Sequence, residues 1–114
     1  MRRLTAVLAV ILSAAVVRAA QNPKEAPKAD RNFTSVNIEY KGAKVWTPST
    51  FIVKKGETVA ITLINQTPSG RHGFAIEGFE DQGVKVEVGA EEPVTVRFKA
   101  VKSGLHRVYC QLHP

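Results

Sequence analysis

The sequence predicts an all-β protein, an antiparallel Greek-key β-sandwich of about seven strands. Three observations predict it. Runs rich in β-branched residues recur from Asn32 onward, and Gly, Pro, Asn and Ser separate them at short, even spacing. No stretch after residue 19 carries the 3.6-residue apolar period of a helix.

Residues 1–19 stand outside that pattern. Met1-Arg2-Arg3 is basic, Leu4 to Val17 is an uncharged apolar run, and Val17 and Ala19 place small residues at −3 and −1 of a cleavage site, as in a secretory signal peptide. The run is 14 residues long, whereas a bilayer-crossing helix needs about 20. The expectation is therefore a periplasmic or secreted protein with no membrane span after cleavage. Residues 20–31, with Pro23 and Pro27 among charged residues and no large apolar side chain, read as a polar tether. Residues 32–114 form the folded domain.

Within that domain the strand candidates are "NFTSVNIEY" from Asn32, "VWTPSTFIVKK" from Val45, "ETVAITLIN" from Glu57, "HGFAIEG" from His72, "VKVEVG" from Val84, "PVTVRFKA" from Pro93 and "GLHRVYC" from Gly104. Several alternate with period two, and Lys55-Gly56-Glu57 supplies a turn between neighbours. Trp46, Phe51, Phe74 and Phe98 are the aromatic core candidates. Losing Arg2, Arg3 and Arg18 with the signal lowers the formal charge from +6 to +3. The remaining bases are interspersed with acids, as in "KVEVGAEEP", so no basic stripe for nucleic acid is left. Asn32-Phe33-Thr34 and Asn65-Gln66-Thr67 match the glycosylation acceptor pattern, which has no meaning without a eukaryotic origin.

Chemistry concentrates at the end of the chain. Cys110 is the single cysteine, and His113 follows three residues later. An exported protein pairs its thiols, so Cys110 either joins another molecule in a disulfide, lies buried and inert, or is held by a metal. A thiolate and an imidazole on one tight loop supply two of the three equatorial ligands of a mononuclear copper site. His72, where a Pro-Ser-Gly loop enters an apolar strand, is the candidate third. If both strand ends share a pole, the set is His2Cys, whose trigonal form marks copper. His106, four residues before Cys110, reads as a packing residue or a supporting hydrogen-bond donor, and Arg71 as a solvated or docking charge. One cysteine is too few for a dinuclear copper site, and a mature chain without methionine cannot be a thioether-based copper shuttle.

"STFIVKKGETVAITLIN", "HGFAI" and "GAEEPVTVRFKAVKSGLHRVYCQLHP" together resemble the cupredoxin family, with "FIVKKGETV", "HGFAIEGF" and "CQLHP" most similar to nitrosocyanin and related small periplasmic copper proteins. The resemblance spans residues 32–114 and implies a cupredoxin-like sandwich with one Cu(I)/Cu(II) ion on His72, Cys110 and His113. Two departures bear on mechanism. Nitrosocyanin carries a glutamate at the position of His72, so this set lies nearer to blue copper. Family members continue past the motif to an axial ligand and a closing strand, whereas this sequence stops at Pro114 and its single methionine is Met1. The expectation is a domain whose closing strand is missing, with an unpaired edge. Either the reading frame is truncated, or its fourth copper position is filled by water, the Arg71 carbonyl or the Pro114 carboxylate.

The implied function is one-electron transfer with a redox partner protein. The alternatives are a nitrosocyanin-like copper enzyme or nitric oxide binder with an open position, and a metal-free sandwich module whose Cys110 links two chains. A homo-oligomer is compatible with all three.

Overall fold

The computed structural model describes residues 27–113. The signal-peptide reading of residues 1–19, the tether as far as residue 26, and Pro114 lie outside the described residues. No helix among the described residues is long and apolar enough to cross a membrane.

The seven described strands form two sheets, an all-β sandwich as expected. β1 (Arg31–Tyr40) turns into β2 (Ala43–Thr47) through Lys41 and Gly42, whose φ values of 49° and 79° are both left-handed. Such two-residue turns match the twist of an antiparallel pair, and Tyr40 accordingly faces Ala43. β3 (Thr58–Asn65) lies beside β1 and pairs antiparallel with β6 (Val94–Lys99), giving the order β2-β1-β3-β6. The second sheet has the order β5-β4-β7, with β4 (His72–Ile76) between β5 (Lys85–Val88) and β7 (Val108–Tyr109).

Alternation builds the core. Val59, Ile61 and Leu63 of β3, with Val96 and Phe98 of β6, pack with Phe74, Ile76, Phe79, Val84 and Val88. The Trp46 ring meets Phe74 edge-on at 5.5 Å, and its indole N–H donates to the Gly73 carbonyl at 2.8 Å. β4 is buried at every position, so the strand that starts at His72 is gripped on both faces.

Three features differ from the expectation. β1 and β3 run parallel, from Arg31↔Val59 to Asn37↔Asn65, so the four-stranded sheet is mixed. Residues 50–55, read as strand, are irregular and flank a cavity of about 510 Å³ that Phe79, Phe98 and Val108 also line. The last strand shrinks to two residues, and His106 therefore lies in coil, not on a strand face shared with Cys110. Its Nδ1 is 3.1 Å from the Glu77 carbonyl, its Nε2 3.2 Å from that of Lys102, and its ring stands edge-on to Phe79 at 4.9 Å. Packing fits that environment.

Candidate metal centre

His72, Cys110 and His113 converge at one pole of the sandwich. One ligand atom from each lies within 4.8 Å of the others. Donors bound at N/S metal distances of about 2.0–2.3 Å stand roughly 3.5–4 Å apart, so a small inward movement closes the set on one ion.

Each residue is delivered by a local device. His72 is the first residue of β4, held by its register with Val88 and 1% exposed. Cys110 follows β7 directly, and His113 is folded back toward it because its N–H donates to the Cys110 carbonyl at 3.3 Å. A four-residue turn of this kind brings positions i and i+3 together, which explains the Cys-x-x-His spacing. The two imidazole centroids are 5.7 Å apart. β4 also supports the thiol, since the Gly73 N–H donates to Cys110 Sγ at 3.2 Å. A Cβ at residue 73 would displace the end of the Gln111 side chain and stand 3.0 Å from the Gln111 backbone nitrogen, so glycine gives the ligand loop its close seat against the strand.

The loop before His72 is braced by Asn65, the last inward residue of β3. Its Nδ2 donates to the carbonyls of Gly70 and Val88 at 2.7 and 3.0 Å, and its Oδ1 accepts from the Thr67 N–H and hydroxyl at 2.9 and 2.7 Å. The glycosylation pattern at Asn65 is thus a buried cross-link between the sheets. Arg71 pairs with Glu87 and Glu92 on the surface at 3.3 and 3.2 Å, exposed contacts worth about 0–1 kcal/mol each. A cavity of about 290 Å³ opens over the three candidate ligands and is completed by Asn37, Lys44 and Trp46. Composition alone did not single out Asn37 or Lys44, because the fold brings them in from β1 and β2.

The residues fit a soft, nitrogen-and-sulfur-binding metal. Burial, with smaller contributions from His113 and Lys44, holds the His72 pKa below its ordinary 6.5 and keeps a lone pair free. His72 Nε2 is buried without a hydrogen-bond partner.

The sequence model of the cupredoxin-like domain matches residues 5–114. The chain belongs to the cupredoxin-like domain family. This cupredoxin-like chain is also 39% identical over 62 residues to a nitrous-oxide reductase of Stutzerimonas stutzeri. Over 62 residues it is 37% identical to that of Pseudomonas fluorescens. Each match covers 53% of the chain and 9% of the relative, so the shared stretch is a small part of the relatives' length.

The neutral His72 predicts a pH effect on the metal-free domain. An unfolded histidine takes up its proton near 6.5, while buried His72 resists to lower pH. Between those values the unfolded chain binds more protons, so stability falls as the pH drops below about 6.5 and levels off beneath the depressed folded value. Denaturation midpoints followed from about pH 8 to about pH 5 should show this, and His72→Gln should flatten the slope. An unchanged slope in the variant would remove His72 as its source.

Proposed function

We propose that this is an exported mononuclear copper protein that passes single electrons to a partner protein in the periplasm. The convergence of His72, Cys110 and His113 carries the proposal, because one thiolate with two imidazoles is the trigonal donor set typical of electron-transfer copper. A bound ion would supply a Cu(I)/Cu(II) couple. The chain's contribution is to hold three donors in place between oxidation states: His72 on a strand buried on both faces, Cys110 by the Gly73 N–H, and His113 by its turn. The relatives are named for nitrous-oxide reduction, and with 9% of their length in common the proposal takes from them the domain and not the reaction.

One observation favours the nitrosocyanin-like alternative: the cavity over the candidate ligands leaves room for a small molecule, with Lys44 at its rim. Open positions are what metal sites use for such chemistry.

Adding Cu(II) to metal-free protein should produce an intense thiolate-to-copper band that saturates at one equivalent, bleaches on reduction and returns on oxidation. No visible band, or saturation at two equivalents, would sink the mononuclear reading. Azide should then perturb the electron paramagnetic resonance spectrum if a position is open. An azide-insensitive spectrum leaves electron transfer and removes the small-molecule alternative. The metal-free module predicts a disulfide-linked dimer on non-reducing gels, whereas the copper reading predicts a monomer there.

A further inference from the structure

We propose that Asn37 is a positioning residue of the metal centre: with a metal on His72 Nδ1, the Asn37 side-chain carbonyl takes the hydrogen bond of the His72 Nε2–H, and neither atom has a partner without it. The inference rests on the copper reading above and adds to it the residue that orients His72.

Two residues that line one cavity each carry a buried polar atom without a partner, and the two atoms are complementary. Asn37 is 2% exposed, its Oδ1 bonds to nothing, and it shares the cavity with His72, Cys110 and His113. His72 Nε2 is equally unpartnered. A neutral imidazole has one N–H and one lone pair, so a metal that takes the lone pair sends the N–H elsewhere. Metal-bound histidines almost always donate that second N–H to a carboxylate, a carbonyl or water. An amide oxygen is such an acceptor.

The neighbours are already committed. In register with Asn37 stand Trp46 of β2 and Asn65 of β3. The Trp46 N–H is given to Gly73, and both ends of the Asn65 amide are used within its loop and on Val88. Lys44, the other residue of the cavity rim, accepts nothing. The remaining unpartnered buried side-chain acceptor among the described residues is Gln111 Oε1, which lies against Gly73 and does not line the cavity. Among the unpartnered buried side-chain acceptors, Asn37 is the one that lines the same cavity as His72.

The test uses the mature chain, labelled with ¹⁵N and loaded with Cu(I), a diamagnetic ion. Long-range proton–nitrogen correlation should place His72 in the Nε2–H form, with a slowly exchanging N–H proton. Asn37→Leu should lose that signal and lower copper affinity by about 10–100-fold, the usual effect of removing such a partner. Asn37→Asp, which keeps an acceptor oxygen, should restore the signal. A purely structural role for Asn37 would lower the melting temperature and leave the tautomer unchanged. Finding His72 protonated at Nδ1, or finding signal and affinity intact in Asn37→Leu, would overturn the proposal. Should Asn37→Leu fail to fold, the wild-type tautomer and the aspartate variant still decide. Wild-type protein that binds no Cu(I) would overturn the copper reading and this proposal together, whereas a loaded protein with the wrong tautomer would overturn the proposal alone.

Discussion

Cys110→Ser is expected to abolish the visible band of the copper-loaded protein while leaving the sandwich folded. Cys110 is half-buried, follows the last residue of β7 and is absent from the apolar core, so its side chain contributes little to packing. Its proposed role is chemical. A thiolate is the soft donor that selects copper, and a hydroxyl cannot replace it. The Gly73 N–H that reaches the sulfur at 3.2 Å would find an oxygen on a shorter bond, so the turn to His113 persists while the strongest donor is lost. Copper affinity should fall by more than the roughly 10–100-fold associated with losing a supporting partner. His106→Ala is the control. That ring lies in coil against Phe79 and lines the larger cavity at residues 50–55, so its removal should lower stability and spare the band. A serine variant with an unaltered band would show that Cys110 does not bind the metal.

Much of this centre was legible because the spacing in Cys-x-x-His reflects a four-residue turn, a local property that one sequence can carry. His72 was legible for a related reason: a Pro-Ser-Gly loop running into "HGFAI" marks a strand entrance, and buried strands read as continuous apolar runs. That the three residues meet depends on β4 pairing with β7 at Ala75↔Tyr109 and Ile76↔Val108, which no local pattern encodes. The parallel pairing of β1 with β3 escaped for the same reason, since period-two alternation is indifferent to a neighbour's direction. "FIVKK" has strand propensity but lies unpaired in the structure, and propensity reports only how well a side chain suits a pleated surface. Asn37 and Asn65 were invisible as site residues because the interior face of these strands turns polar near the candidate ligands: Ser35, Asn37 and Asn65 are buried where apolar residues would be expected.

Asn65→Ala should be among the most destabilising single changes in the domain. The substitution strips partners from four groups at once: the carbonyls of Gly70 and Val88, and the N–H and hydroxyl of Thr67, itself 3% exposed. A buried polar group left without a partner costs about 1–3 kcal/mol, and relaxation toward water near the loop offsets part of the sum. An expected loss of about 2–4 kcal/mol is a large share of the roughly 5–15 kcal/mol that holds a domain together. For a domain of this size it corresponds to a fall of roughly 10–20 °C in melting temperature. The effect should reach the metal centre, because Val88 is the register partner of His72 and Gly70 lies two residues before it. Copper should therefore bind the variant more weakly even below its melting temperature. Asn32→Ala makes the comparison sharp, as Asn32 sits in the same acceptor pattern but is exposed, with one side-chain bond of 3.3 Å to Ala29. Thermal melts of the metal-free proteins should show Asn32→Ala within about 0.5 kcal/mol of wild type and Asn65→Ala far below it. Equal melts for the two variants would mean that the Asn65 brace does not hold the loop that carries His72.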